Sequence, residues 1–316
     1  MYETRLMSTR HLLSITDLDP SEMLYLIDRG LELKRGQLKH KPLDGKMIGI
    51  YFRKTSTRTR TSFTVGAAKL GAFPIVYGPQ DLQTNTGESL EDTARVLAGY
   101  LDALVIRTAE SLAEMQALAS QTTMSVINAM SDNEHPTQAL ADLTSIKEHF
   151  GRLDDLHLLY FGEGNNSATA LTLAISRLPN MRLSLFTPEG YGLPQEVRDL
   201  ALAAAASNNS RIEEFHSLDQ LPSQADIVYT TRWQTTGSSK PDPNWRDRFA
   251  PFGVTQALMQ RVSKPGGTVF MHDLPAVRGE DVASEVLDGP QSIAFQQAQN
   301  KLFSAMAVLE WCVAEA

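Results

Sequence analysis

Residues 47–60 read MIGIYFRKTSTRTR, an apolar run of strand length followed at once by a basic, hydroxyl-rich segment. The run 47–52 is apolar almost throughout, which is typical of a strand covered on both faces in a parallel sheet. Residues 57–70 then show a helical pattern. Four of the eight residues at 53–60 are basic. Guanidinium groups, hydroxyls and the free N–H groups of a helix start all bind anions. The stretch therefore predicts a strand, an anion-binding turn and a helix, although it lacks the glycines of a P-loop.

The same alternation continues along the chain. Further strands are predicted at 103–106, 125–128, 156–161, 182–186, 226–229 and 268–271, and further helices at 89–101, 136–150 and 167–177. This order predicts an α/β fold of two doubly wound parallel-sheet domains, because 316 residues suit two domains. We expect residues 1–150 and 151–290 to form the two domains. Residues 290–316 have the pattern of a helix that packs back onto one of them.

Unusual polar residues follow the predicted strands. Ligands of open α/β sheets bind outside the carboxyl ends of the strands, so these residues are candidate site residues. Beyond 53–60 they are Arg107, the run 135–138 (HPTQ), the run 162–166 (GEGNN), the run 230–234 (TTRWQ) and the run 272–275 (HDLP).

Several of these segments also have plainer explanations. His135 suits the capping of the helix that Pro136 starts, and Arg107 alone suits a structural role. The run Gly162-Glu163-Gly164 resembles a dinucleotide loop, but Ser167 stands where that pattern needs its last glycine. NAD binding is therefore not expected.

Composition excludes other classes of protein. The single cysteine, Cys312, excludes an internal disulfide and a Cys-rich zinc site, and no histidine spacing typical of a metal site occurs. A net charge of −8 disfavours nonspecific nucleic-acid binding. Since we find neither a targeting segment nor an apolar run long enough for a membrane helix, we expect a cytoplasmic protein with no nucleic-acid or membrane partner.

Taken together, these segments resemble the aspartate/ornithine carbamoyltransferase family, most closely its ornithine branch. The motifs that carry the resemblance keep the family's order: residues 56–60 (STRTR), 88–90 (ESL) with 92–97 (DTARVL), Arg107, 135–138 (HPTQ) and the HxLP pattern at 272–275.

The resemblance implies a carbamoyl-phosphate domain and an acceptor domain bridged by helices, with helix 291–316 returning to the first. It implies a homotrimer in which Gln83 enters the neighbouring subunit's site. It implies no metal or organic cofactor.

The resemblance also implies roles for individual residues. Ser56, Thr57, Arg58 and Thr59 would hold the phosphate group. The carbamoyl group would be bound by the residues that remain: Arg107, His135, Gln138, the carbonyl of Leu274, and Lys301 where the family usually has arginine. Arg107 and His135 would be catalytic through the carbonyl oxygen, where negative charge develops.

The acceptor half departs from the ornithine branch. Thr231 replaces an expected acidic residue, and Asp273 replaces an expected cysteine. We expect Asp273 to be catalytic as a general base. The candidate acceptor-binding residues are Asn165, Asn166, Thr231, Arg232, Gln234, Thr235, Thr236 and Asp273.

Three interpretations follow. The first is a carbamoyltransferase acting on an ornithine-like or unusual amino-acid amine. The second is an aspartate-type carbamoyltransferase, because the run 230–234 resembles that branch. The third is a non-catalytic relative that binds carbamoyl phosphate.

Overall fold

A computed structural model describes residues 9–108, 111–121, 123–235 and 239–314. Its strands are β1 (Met47–Phe52), β2 (Phe73–Tyr77), β3 (Ala103–Arg107), β4 (Ser125–Met130), β5 (His157–Phe161), β6 (Arg182–Phe186), β7 (Arg211–Phe215), β8 (Ile227–Thr230) and β9 (Val269–His272). Its helices are α1 (Pro20–Lys34), α2 (Arg58–Leu70), α3 (Leu90–Leu97), α4 (Leu112–Ala119), α5 (Pro136–Phe150), α6 (Asn166–Ile175), α7 (Gln195–Ser207), α8 (Trp245–Phe249), α9 (Gln256–Val262), α10 (Ser284–Leu287) and α11 (Ala294–Val313).

The strands form two parallel sheets, which confirms the predicted fold class. The first sheet has the order β2-β1-β3-β4, and the second has the order β7-β6-β5-β8-β9. In each sheet the chain leaves its first strand in one direction and later returns to pair on that strand's other side. The carboxyl ends of β1 and β3, and those of β5 and β8, are therefore topological switch points, where doubly wound sheets bind their ligands.

Two edge strands, β2 and β7, were not predicted from the sequence. Phe73 and Val76 of β2 are exposed, and β7 is mostly half-buried, with the polar sequence RIEEF. Neither strand is covered on both faces, so neither shows the continuous apolar run that identifies the central strands.

Helix α5 joins the two sheets. It begins at Pro136, directly after His135, and ends at Gly151, whose φ of 72° is the left-handed conformation typical of a helix end. The largest apolar cluster runs through the helices of both halves. The helices of the two halves therefore share one apolar core.

The last helix, α11, leaves the second sheet and packs against α1, α2 and α5. Its contact with α2 is close at Gly66, where an added Cβ atom would lie 3.1 Å from Met306 Cγ and the methionine side chain would have to shift by a few tenths of an ångström. Its contact with α1 includes Arg29 Nε, which lies 3.0 Å from Glu310 Oε2. In the part of the chain that the structure describes, no helix combines the length and apolar character needed to cross a membrane.

Candidate active site

A cavity of about 230 Å³ lies where the two switch points face each other. Every residue to which the sequence analysis gave a role in substrate binding or catalysis lines it except Gln83, which does not, and Thr236, which lies outside the described residues. The lining residues predicted from the sequence are Ser56, Thr57, Arg58, Thr59, Arg107, His135, Gln138, Asn165, Asn166, Thr231, Arg232, Gln234, Thr235, Asp273, Leu274 and Lys301.

The start of α2 forms one side of the cavity. Thr57 is the N-cap residue, yet its side chain makes no capping hydrogen bond. The Arg60 N–H donates to Ser56 Oγ at 3.4 Å, and the Thr57 hydroxyl with the N–H groups of Arg58 and Thr59 remains for a ligand. Arg107, at the end of β3, donates from Nη1 to Ser56 Oγ at 3.2 Å. Its Nε is buried and has no hydrogen-bond partner among the described residues. These donors make this side an anion site.

Of the four basic residues at 53–60, the one that lines the cavity is Arg58. Arg53 instead points to Glu114, with 2.8 Å between Nη1 and Oε1. Burial lowers the pKa of Arg58, and burial together with the charge of Arg58 lowers the pKa of Arg107 to about 10. Both guanidinium groups therefore remain charged at neutral pH. A bound anion would stabilise these buried charges.

His135 lies between the two sheets. Its backbone N–H donates to the carbonyl of Asn166 at 3.2 Å. Burial, followed by the charges of Lys301 and Arg107, holds the pKa of His135 well below its ordinary value. The imidazole is therefore neutral at pH 7 and offers a hydrogen-bond donor that does not ionise in the physiological range.

Gln138 is held in one orientation by its neighbours. Its Nε2 donates to Asp142 Oδ1 at 2.7 Å, and its Oε1 accepts from Lys301 Nζ. The amide oxygen is thus turned towards Lys301, which lines the cavity with it. Burial lowers the pKa of Lys301 to about 8.

Asp142 is fully buried behind this pair. Gln297 Nε2 donates to its Oδ1 at 2.7 Å, and the Tyr229 hydroxyl donates to its Oδ2 at 3.0 Å. Burial raises the pKa of Asp142 to about 7. The sequence analysis missed this residue, although a carboxylate one helical turn after Gln138 in the apolar run 139–143 is a signal that could have identified it.

The Leu274 turn is fixed by His272. Leu274 has a φ of 53°, an unusual value for a non-glycine residue. Its N–H donates to His272 Nδ1 at 2.8 Å, which leaves His272 Nε2 to donate to Asp281 Oδ2 at 3.2 Å. This network sets the position at which the Leu274 carbonyl meets the cavity.

Asp273 carries the one carboxylate among the residues that line the cavity. Thr230 pairs with His272 in the register of β8 and β9, so Thr231 and Asp273 are adjacent. The Thr231 hydroxyl lies 3.0 Å from both oxygens of Asp273, and the Ser167 hydroxyl donates to Oδ2 at 3.0 Å. The carboxylate is oriented by two neutral donors and stays 13% exposed to the cavity. Ser167 was missed because it was considered only as the position at which a dinucleotide-binding loop would need its last glycine.

The remaining acceptor candidates have structural contacts as well. Asn165 caps α6 through its Oδ1 and donates from Nδ2 to Thr235 Oγ1 at 3.3 Å. Asn166 Nδ2 donates to the Ser131 carbonyl at 2.7 Å. Arg232 and Gln234 line the outer part of the same site with their half-buried side chains.

Gln83 lies in a short 3₁₀ helix, Gln83–Thr86, with an exposed side chain. Its Oε1 accepts from the Thr86 hydroxyl at 2.8 Å. Thr55, Met130 and Pro275 also line the cavity. Thr55 and Pro275 lie in the predicted runs 53–60 and 272–275 but were given no individual role, and Met130, at the end of β4, was not predicted.

Comparisons with known proteins give matches over nearly the whole chain. Residues 10–148 match the family model "Aspartate/ornithine carbamoyltransferase, carbamoyl-P binding domain", and residues 154–312 match "Aspartate/ornithine carbamoyltransferase, Asp/Orn binding domain". The ornithine carbamoyltransferase of Caldicellulosiruptor saccharolyticus is 40% identical, with 95% of this chain and 97% of that protein covered. That of Methanothermobacter thermautotrophicus is 38% identical, with 97% and 99% covered. The solved structure of the Pyrococcus furiosus ornithine carbamoyltransferase superposes with a TM-score of 0.91 at 36% identity, with 98% of each chain covered.

Proposed function

Because this chain belongs to the aspartate/ornithine carbamoyltransferase family, we propose that it transfers the carbamoyl group of carbamoyl phosphate to the amine of an ornithine-like amino acid. One observation carries the proposal. Four cationic side chains, Arg58, Arg107, Arg232 and Lys301, line the same cavity as a single carboxylate, Asp273. That charge pattern suits an anionic donor beside an amine acceptor.

The donor's phosphate would bind at the start of α2. Ser56, Thr57 and Thr59 offer hydroxyls and backbone N–H groups there, and Arg58 and Arg107 offer charged donors. Hydrogen bonds from charged groups are worth about 1.5–3 kcal/mol each. Together they would hold the phosphate both as ligand and as leaving group.

The protein would bind the carbamoyl group at both its oxygen and its NH₂ group. Its oxygen would accept from His135, Arg107 and Lys301, whose donors stabilise the negative charge that develops there during attack. Its NH₂ group would donate to Gln138 Oε1 and to the Leu274 carbonyl. The contact of Gln138 Nε2 with Asp142 supports this assignment, since it fixes the amide oxygen as the acceptor on the cavity side; that oxygen accepts from Lys301 and has a second lone pair for the ligand.

The acceptor amine would attack the carbamoyl carbon. Its lone pair forms the new C–N bond, and the C–O bond to phosphate breaks with its electrons leaving on phosphate. Asp273 would take a proton from the acceptor's ammonium group before the attack and so free this lone pair, because its oxygens accept from two neutral hydroxyls and remain open to a third donor. The second proton that the nitrogen loses after the attack would leave with the phosphate. Arg232 and Gln234 would bind the acceptor's carboxylate at the outer part of the site.

An aspartate-type enzyme is a weaker alternative. Arg232 and Gln234 suit a second carboxylate, but Asp273 would repel a dicarboxylate at the position of the nucleophile. Two relatives that match across nearly the whole chain are named ornithine carbamoyltransferase. L-Ornithine is therefore the first acceptor to test. A non-catalytic role is disfavoured because folding alone does not require the donor constellation.

We also propose a homotrimer whose active sites include Gln83 of the adjacent subunit. The edge strand β2 supports this proposal: Phe73 is 64% exposed and Val76 is 45% exposed. The strand leads within a few residues to Gln83, so an interface there would bring Gln83 to a neighbour. A mass in solution of three times 34.9 kDa is expected; a monomer with full activity would contradict the proposal.

The test of the function is steady-state turnover across acceptors. The panel holds L-ornithine, N-acetylornithine, putrescine, lysine, 2,3-diaminopropionate and aspartate, with phosphate release and the mass of the ureido product as readouts. We expect L-ornithine to be used in preference to putrescine, and Arg232→Ala to reduce that preference, because putrescine lacks the carboxylate. Turnover with aspartate and none with the diamines would overturn the proposed acceptor class.

A further inference from the structure

Lys240 is buried in a cation site made by its own chain. Its side chain is only 4% exposed, and its ammonium group forms an ion pair with Glu163. Three aromatic rings surround the same ammonium group: Tyr191 and Phe249 have their centroids 4.8 Å from Nζ, and that of Trp245 is 5.4 Å away. Distances below about 6 Å are those of a favourable cation–π contact. We name Glu163, Tyr191, Trp245 and Phe249 the cation box.

The box is assembled from three separated parts of the chain. The Tyr191 and Trp245 rings both meet Phe249 edge-on, at centroid distances of 4.9 and 5.4 Å. The backbone of Glu163 is fixed as well, since its carbonyl accepts from the Tyr160 hydroxyl at 2.7 Å. The box is therefore a packed unit with a defined shape. Its carboxylate and its three rings together offset the free-energy cost of burying the lysine charge.

The position of the box relates it to the acceptor side of the active site. Glu163 lies two residues before Asn165, and Lys240 lies five residues after Thr235. Asn165 and Thr235 are themselves joined by a hydrogen bond of 3.3 Å. The chain that carries Arg232 and Gln234 is thus tied twice to the segment following β5, once through Thr235 and once through Lys240.

We propose that Lys240, by filling the cation box, is a positioning residue that sets the place of Arg232 and Gln234 for the acceptor. Lys240 does not line the active-site cavity. Its effect therefore falls on the acceptor and not on carbamoyl phosphate, whose expected ligands lie on other elements. The claim that Lys240 affects acceptor binding rests on the proposed function, whereas the cation box itself can be tested without any substrate.

The substrate-free test uses Lys240→Ala and tetramethylammonium, a quaternary cation that cannot act as an acceptor amine. Thermal unfolding is followed in tetramethylammonium chloride and in sodium chloride at equal ionic strength. We expect tetramethylammonium to raise the unfolding midpoint of Lys240→Ala and to leave that of the wild type unchanged. Lys264→Ala is the matched control, because Lys264 forms an ion pair with Asp226 at the opposite end of the second sheet. An equal response of wild type and Lys240→Ala would refute the cation box.

The kinetic test compares the KM values of the two substrates. In Lys240→Ala we expect the KM for L-ornithine to rise by about tenfold or more, with the KM for carbamoyl phosphate within about twofold of wild type. Tetramethylammonium should lower the raised KM, and Lys240→Arg, which keeps the charge, should restore most of the acceptor affinity. Lys240→Met keeps the alkyl chain and serves if the alanine variant does not fold.

Either of two results would overturn the positioning role: an unchanged KM for L-ornithine, or a parallel rise of both KM values. Failure of the proposed function looks different, because the wild type itself would then show no turnover with any acceptor. In that case the response to tetramethylammonium would still decide whether the cation box exists, and the claim about the acceptor would fall with the function.

Discussion

Lys301 makes donor binding depend on pH in a way that can be worked out from the structure. Burial lowers the pKa of Lys301 to about 8. The protonated ammonium group attracts carbamoyl phosphate and the neutral amine does not, so affinity is complete below pH 8 and is lost as the pH rises through that value. If only the protonated form binds, the dissociation constant rises about tenfold per pH unit above 8, or about 1.4 kcal/mol per unit. At about pH 9.5 the loss is roughly 30-fold.

The assay is calorimetric titration with freshly dissolved carbamoyl phosphate, in the absence of acceptor, at intervals between about pH 6.5 and 9.5. The control is Lys301→Arg, since a guanidinium group stays charged throughout this range. Its affinity should stay constant until Arg107, with a pKa of about 10, begins to lose its proton. The wild type should also take up a proton on binding near pH 8 to 9, which appears as a dependence of the heat on the buffer.

His135 gives no competing transition, because its pKa is held well below its ordinary value. Asp142, with a pKa of about 7, ionises at the lower end of the range, before Lys301 loses its proton at about pH 8. A wild-type affinity that is constant up to about pH 9.5, or a Lys301→Arg variant that declines in parallel with the wild type, would refute the assignment of the transition to Lys301.

Three further predictions concern single residues. Asp273→Asn should lower kcat by about 10²-fold or more, as expected for the loss of a general base, and leave the carbamoyl-phosphate dissociation constant within about threefold; an unchanged kcat would exclude the base role. Asp142→Asn should lower kcat/KM, because Gln138 loses the acceptor that orients it. The same substitution should lower the free energy of unfolding by about 1–3 kcal/mol; a denaturant titration that matches the wild type would contradict this. Arg53→Ala should change donor affinity by less than about threefold because Arg53 faces Glu114, whereas Arg58→Ala should weaken it by about 10- to 150-fold; equal losses in the two variants would count against the assignment.

The central strands of both sheets were predicted from the sequence because burial on both faces produces continuous apolar runs. The strands β2 and β7 were missed because they are edge strands with exposed or half-buried residues, whereas the other two edge strands, β4 and β9, are buried and were predicted. Helix α2 was predicted at 57–70 and occurs at Arg58–Leu70, with Thr57 outside it as the N-cap. Its start could be placed because the apolar strand before it ends abruptly at Arg53.

It could also be predicted that the site residues lie close together, since parallel strands bring their carboxyl ends to one edge of the sheet. What could not be predicted was the contacts between side chains far apart in sequence. Asp142, Tyr229 and Gln297 meet only after α5, β8 and α11 have packed. The pairing of Arg53 with Glu114 and the burial of Lys240 likewise depend on tertiary contacts that leave no local pattern.

The most direct test of the central claim is the fate of a labelled carbamoyl group. The protein is incubated with carbamoyl phosphate carrying a heavy-isotope carbonyl carbon and with L-ornithine, and the phosphate released and the labelled ureido product are both counted. The account predicts equal amounts of phosphate and of labelled ureido amino acid, and loss of both products in Arg58→Ala at limiting carbamoyl phosphate. Phosphate released without a labelled product on L-ornithine or any other acceptor of the panel would contradict carbamoyl transfer at this site.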